Sequence, residues 1–251
     1  MHRPDPTGAT PAATLILARD GAAGLEILVI ERAGTMGFAG GAIAFPGGKV
    51  DAGDTPGGPS FLGAAGTPLE DAAARVTAAR ETFEETGILL SRGPDVPQAV
   101  RAALRPRSDA HEIGFGDLLR ELGHRLDLDA LVPFARWLPP MGLHKRYDTR
   151  FYVAHMPEGE AHAADGNEAV NARWAAPSGL LAEADAGAIS LLFPTRCNIA
   201  RLAMFESAAR LIADPTPPPF VQPAIEDGWL TIPEGIGYPI VRERLELVRR
   251  S

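Results

Sequence analysis

The sequence predicts a mixed α/β fold with helical insertions, and three observations point that way. Short β-prone runs are interspersed with helix-forming runs instead of being segregated from them. A stretch of good helix formers from about Pro68 to Glu85 ends at Gly87, a residue type that closes helices in the left-handed conformation. Clusters of Gly, Pro and Asp punctuate the runs with turn chemistry.

Taken in order, Ala13–Ala18 and Leu25–Glu31 read as strands of a hairpin, joined by Asp20-Gly21-Ala22-Ala23-Gly24, whose residues tolerate the positive φ of a tight connection. Gly34–Gly41 reads as a flexible loop before a short strand, Ala42–Phe45, which Pro46-Gly47-Gly48 breaks. The Gly/Pro-rich residues from Asp51 onward lack periodicity, so 52–70 reads as an inserted loop. After the helix, Ile88-Leu89-Leu90 reads as the start of a strand. Asp95–Gly123 carries two helical patterns, with Phe115, Leu118, Leu119 and Leu122 on one face. Leu131–Leu138 and Thr149–His155 read as strands on either side of a basic turn, His144-Lys145-Arg146. Helices are expected near Pro177–Ala184 and over Ile199–Ile212; the second, through Leu202, Phe205 and Leu211, packs internally, a homodimer interface being the alternative. Residues 1–12 read as a flexible N-terminal tail, 13–251 as one domain, and 214–251, after a run of prolines, as its C-terminal extension.

Composition narrows the function classes. The chain has 251 residues, 45% hydrophobic and 22% charged, as in ordinary globular proteins. No apolar run approaches the roughly 20 residues that span a bilayer, so no membrane partner is expected. A net charge of −8 argues against a nucleic-acid partner, which demands a basic face. It does not argue against a phosphorylated small molecule, because a divalent cation can bridge carboxylates to phosphate. One cysteine, Cys197, rules out an internal disulfide and a four-cysteine zinc site, and a reducing cytoplasm is the expected location. Cys197 reads as a small buried residue, and Trp137, Trp174 and Trp229 as core anchors. The six histidines show no metal-ligand spacing.

The chemistry concentrates in Arg80-Glu81-Thr82-Phe83-Glu84-Glu85-Thr86-Gly87-Ile88. On a helix, residues three and four apart share a face, so Glu81, Glu84 and Glu85 bring three carboxylates together. Arg80 lies four residues before Glu84 and can pair with it. Crowded carboxylates call for a cation, and hard Mg²⁺ or Mn²⁺ suits carboxylate oxygen. Gly47-Gly48 after a strand belongs to the same pattern.

The segment resembles the Nudix box: a glycine, five residues, a glutamate, seven residues, then Arg-Glu-apolar-x-Glu-Glu-x-Gly-apolar. Arg80–Ile88 matches, with Thr82 at the first apolar place. Gly48 is followed, after five intervening residues, by Asp54, where the family has Glu; 25 residues then precede Arg80 where the pattern has seven, which leaves the equivalence of Asp54 open. The resemblance implies an α/β/α sandwich around a mixed β-sheet. It implies that Glu81 and Glu85 bind the metal with a carbonyl near Gly47 or Gly48, that Glu84 assists, and that Arg80 and Gly87 are structural. A water attacks one phosphorus of a diphosphate; Glu81 or Glu168, in the Asp165-Gly166-Asn167-Glu168 loop, takes its proton.

The flanks narrow the resemblance. Ile30-Glu31-Arg32 and Phe45-Pro46-Gly47-Gly48 resemble the coenzyme A diphosphatase branch. The insertion and Arg146-Tyr147-Asp148-Thr149-Arg150-Phe151-Tyr152 resemble animal peroxisomal acyl-CoA diphosphatases and their bacterial relatives, although Val248-Arg249-Arg250-Ser251 is not a peroxisomal address. Arg32, Lys49, Lys145 and Arg146 are candidate phosphate contacts beside Gly47, with Arg32 foremost. Asp148 and Arg150, two apart and on one strand face, are expected to pair with each other within the fold. The expected reaction is hydrolysis of CoA or acyl-CoA to 3′,5′-ADP and a 4′-phosphopantetheine product. The alternatives are an ADP-ribose, nucleotide-sugar or nucleotide diphosphatase, or a ligand-binding sensor that cuts nothing.

Overall fold

The computed structural model describes residues 8–34, 40–140, 146–158, 162 and 168–245. In chain order the elements are β1 (Thr10–Gly21), β2 (Gly24–Arg32), β3 (Ala42–Ala44), β4 (Gly47–Lys49), β5 (Phe61–Leu62), α1 (Leu69–Thr86), α2 (Gln98–Asp109) and α3 (Phe115–Leu122). There follow β6 (Leu126–Asp127), β7 (Val132–Trp137), β8 (Tyr147–His155), β9 (Ala169–Ala175), α4 (Pro177–Asp185), β10 (Ser190–Leu191), α5 (Phe193–Leu202), α6 (Ala208–Ile212), β11 (Phe220–Val221), β12 (Ala224–Glu226), β13 (Trp229–Thr231) and β14 (Arg242–Arg244).

The main sheet is mixed. β1 runs parallel to β8 over Thr10–Ala18, and β8 is antiparallel to β7. β1 and β2 pair only near their turn, from Ala18↔Ile27 to Gly21↔Gly24, and then diverge. The β3–β4 segment fills the fork: β3 pairs with the end of β2, while β4 pairs with the start of β1. This places Gly47 and Gly48 within the sheet, opposite Thr14 and Ala13. The expected break at Pro46 is therefore a crossover into a second strand.

β1 is apolar on both faces, as a strand covered on both sides must be. Ala13, Leu15 and Leu17 face one core, with α1, α2 and α3; Ile16 and Ala18 face the other, with residues of α4, α5 and α6. The arrangement is the α/β/α sandwich expected. α1 is buried along most of its circumference, with 14 of its 18 residues buried. Its alanines, Ala72, Ala73, Ala74, Ala78 and Ala79, let the sheet approach on one side and the α2–α3 segment on the other.

Several sequence expectations are corrected. The tail ends earlier than 12, because Thr10–Ala12 already belong to β1. The 52–70 insertion is not all loop: it holds a 3₁₀ turn, Ala52–Asp54, and β5, which pairs in parallel with β6. Ile88 and Leu89 are buried but form no strand; the left-handed Gly87 turns the chain away from the sheet. The Ile199–Ile212 helix is two, α5 and α6, separated at Ala203–Ser207, and Leu202 and Leu211 are buried in the core. Of the three tryptophans only Trp137 is a buried anchor. Trp174 is half-buried beneath Arg19, and Trp229 lies between Arg242 and Arg244 in the small β12–β13–β14 sheet. The expected pairing of Asp148 with Arg150 is replaced by two others: Asp148 takes Arg136, and Arg150 takes Glu70. Cys197 is buried. No helix of the described residues is long and apolar enough to cross a membrane.

Candidate active site

Two rows of side chains run along the last turns of α1, because residues four apart stack on a helix. Arg80 and Glu84 form one row, Glu81 and Glu85 the other. The row of Arg80 turns into the protein. Its Nε donates to Asp54 Oδ1 at 2.8 Å, Nη2 to Asp54 Oδ2 at 3.0 Å and to the Lys49 carbonyl at 3.1 Å. Nη1 donates to Glu84 Oε2 at 2.7 Å and pairs with Glu81 Oε1 at 2.9 Å. Burial works against the Arg80 charge, but the hydrogen bonds with Asp54 and the charges of Glu81, Asp54 and Glu84 outweigh it and hold its pKa above the ordinary value.

Asp54 is 1% exposed and also accepts from Thr77 Oγ1 and the Asp51 amide. The sequence left its equivalence open because 25 residues separate it from Arg80. Folding closes that gap: the first turn of the insertion, Ala52–Asp54, brings Asp54 onto Arg80.

Glu84 is likewise occupied. Ser108 Oγ of α2 donates to its Oε1 at 2.5 Å, and Arg105 Nη2 donates to its main-chain carbonyl at 2.8 Å. The trio expected on one face is thus a pair plus one, with Glu84 turned toward α2. Neither Ser108 nor Arg105 was singled out from the sequence, where nothing marks them; both come from a helix remote from the motif.

The row of Glu81 and Glu85 faces the β3–β4 fork. The Gly47 amide donates to Glu85 Oε2 at 2.9 Å. A Cβ at Gly48 would overlap the Glu81 carboxylate, and one at Gly47 would strike the main chain of β1 at Ala13 and Thr14. The two glycines are needed for close approach, which is why the strand and helix can touch here. Burial pushes Glu81 up to about 7, with Arg80 opposing and the charges of Glu84 and Glu168 adding to it. Glu85, 3% exposed, is raised well above the ordinary carboxylate range by burial and by Glu81; the Gly47 amide and Arg32 oppose, and Glu168 adds.

Glu168 and Arg32 reach this place from the sheet. The Ala33 amide donates to the Glu168 carbonyl at 2.8 Å, which sets the start of β9 beside the end of β2. Glu168 is exposed and near enough for its charge to act on both helix carboxylates. Arg32 Nε is buried and has no hydrogen-bond partner among the described residues. Lys49 is exposed on β4 next to Gly48. Arg146 is buried immediately before β8, its Nε donating to the Pro139 carbonyl and its own carbonyl accepting from the Thr10 amide. Lys145 lies outside the described residues. Gly87 caps α1 at φ 75°, its amide bonded to the Phe83 carbonyl.

Residues 62–202 match the family model of the NUDT19 Nudix domain. The chain belongs to the Nudix hydrolases. Within that family it is 30% identical over 234 residues to acyl-coenzyme A diphosphatase NUDT19 of Gallus gallus, covering 72% of this chain and 62% of the relative. Against the Homo sapiens protein of the same name the identity is 30% over 238 residues, covering 76% and 64%. The chain therefore spans less than two thirds of either relative's length. A crystallised NUDIX hydrolase from Alicyclobacillus acidocaldarius superimposes with a TM-score of 0.74 at 29% identity, over 82% of this chain and 96% of that one.

The Nudix donor set suits a hard cation. It is made wholly of oxygens, and burial, with the neighbouring charge of Glu168, disfavours the charged forms of Glu81 and Glu85 that a cation would favour. Among the described residues no three His, Cys, Asp or Glu side chains are already gathered at ligating spacing. The fold supplies the donors without assembling them beforehand.

Proposed function

We propose that this chain hydrolyses the diphosphate linkage of CoA or acyl-CoA, releasing 3′,5′-ADP and a 4′-phosphopantetheine product. The observation that carries the diphosphatase reading is the Glu81–Glu85 row, buried against Gly47-Gly48 with Glu168 and Arg32 at its edge. The CoA assignment rests on the relatives named acyl-coenzyme A diphosphatase.

In this reading Glu81, Glu85 and a carbonyl at Gly47 or Gly48 hold Mg²⁺ or Mn²⁺, and Glu168 joins them or takes the proton of the attacking water. The cation supplies the positive charge that offsets charge developing on the phosphate oxygens. Arg80 orients Glu81, whose Oε1 it already binds. Glu84 is assigned to positioning, since both its oxygens are engaged away from Glu85. Arg32, whose buried Nε has no partner among the described residues, contributes a donor to phosphate. Glu168, exposed at the edge, is the better placed proton acceptor, since Glu81 is tied to Arg80.

The test is a product assay on CoA, acyl-CoA, ADP-ribose, nucleotide sugars and nucleoside diphosphates, with Mg²⁺, Mn²⁺ or chelator, beside Glu85→Gln. Release of 3′,5′-ADP from CoA or acyl-CoA, abolished by chelator and reduced about 100-fold or more in the variant, is the expected result. Cleavage of another diphosphate and not of CoA overturns the substrate; metal binding with no cleavage overturns the reaction. Glu168→Gln should lower turnover and leave metal affinity near wild type if Glu168 is the base, whereas loss of both would make it a ligand.

A further inference from the structure

The contacts that α2 makes with the last turn of α1 stand outside the motif and outside any role described so far. Ser108 is 1% exposed, and its hydroxyl donates to Glu84 Oε1 at 2.5 Å. The other Glu84 oxygen accepts from Arg80 Nη1 at 2.7 Å, and that same nitrogen pairs with Glu81 Oε1 at 2.9 Å. Glu84 and Glu81 thus share one guanidinium nitrogen. Arg105 adds two donors to the Glu84 carbonyl, Nη2 at 2.8 Å and Nε at 3.2 Å, and places its cation at the C-terminal end of α1.

We propose that Ser108, with Arg105, is a positioning residue for the metal-binding carboxylates, acting through Glu84 and Arg80. The hydroxyl satisfies the one Glu84 oxygen that Arg80 does not reach. Without it a buried carboxylate, 7% exposed, keeps an unpaired oxygen, and Arg80, already bound to the other oxygen, is drawn further toward it. Any shift of Arg80 toward Glu84 withdraws Nη1 from Glu81. The orientation of Glu81 is therefore set from α2, by Arg105 and Ser108, 24 and 27 positions further along the chain. Partners that orient metal ligands from behind ordinarily change metal affinity or activity by about 10- to 100-fold.

This inference rests on the reading of Glu81 and Glu85 as metal ligands. It is tested with Ser108→Thr and Ser108→Val, which add the same bulk and differ only in the hydroxyl, and with Arg105→Gln. Each purified full chain is titrated with Mn²⁺ in the absence of substrate, and kcat and KM for CoA are measured. The expected result is an Mn²⁺ affinity and kcat about 10-fold lower in the valine variant than in the threonine variant, with KM within about twofold. Arg105→Gln should shift both in the same direction. Equal Mn²⁺ affinity and kcat in the threonine and valine variants overturn the proposal, and if neither folds, wild-type values in Arg105→Gln overturn it. A wild type that binds Mn²⁺ with the threonine–valine difference intact, yet cleaves no diphosphate, sinks the functional reading and leaves the positioning role standing. Cleavage of CoA by both variants at one rate does the reverse.

Discussion

At the scale of single residues, Gly48 does the most with the least. Its missing side chain is the space the Glu81 carboxylate occupies. Gly48→Ala should therefore displace Glu81 and lower kcat about 10- to 100-fold, while the fold persists because the clash is with a side chain and not the main chain. Steady-state kinetics beside a thermal melt check this; a variant with unaltered kcat would contradict it. Glu81 itself predicts a pH dependence. Its folded pKa, about 7, lies above the ordinary 4.5 because burial disfavours the charged form. The native chain holds this proton more tightly than the unfolded chain, so the stabilisation is complete below about 4.5 and is lost as pH rises through 7. In chelator, the urea midpoint should fall between pH 5 and 8, and Mg²⁺ or Mn²⁺ should remove most of that fall. A flat profile in chelator would show that the carboxylate is not held in this environment.

At the scale of elements, the box helix was readable and its supports were not. Helix formers, the i, i+4 spacing of Glu81 and Glu85, and a glycine in the left-handed conformation all act locally, so α1 could be placed from the sequence almost to the residue. The 52–70 segment looked like loop because Gly and Pro erase periodicity, yet β5 gains its ladder from β6, more than 60 residues onward. Such pairing leaves no local trace. The same holds for Asp54, whose partner Arg80 lies beyond the insertion. Asp54→Ala should strand a buried guanidinium and cost about 3–5 kcal/mol of stability, measured by urea unfolding at neutral pH. A loss under about 1 kcal/mol would mean that the Arg80 charge is satisfied by Glu84 and Glu81 alone.

At the scale of the whole molecule, the described residues after 214 are tied to the sheet and to α5. Tyr238 accepts from Trp137 Nε1 at 3.1 Å and donates to Asn198 Oδ1 at 2.8 Å, joining the extension to β7 and α5 through one buried hydroxyl. Tyr238→Phe leaves the indole N–H and the amide oxygen without partners and should cost about 1–3 kcal/mol per stranded group. Because this contact lies in the core opposite α1, kcat on the active substrate should stay at the wild-type value. Chemical denaturation and kinetics on one preparation separate the two effects, and a drop in kcat without loss of stability would count against this assignment. The sequence by itself determined the family, the α/β class and the carboxylates of α1, since these depend on residue type and on spacing within one helix. Only the tertiary structure decided that Glu84 turns away from Glu85, that Asp54 closes onto Arg80, that Arg146 is buried just before β8 against the Pro139 carbonyl, and that Ser108 grips the helix. Each of those depends on which distant segment supplies the hydrogen-bond partner once the chain is buried, and a buried charge takes the partner that packing brings to it.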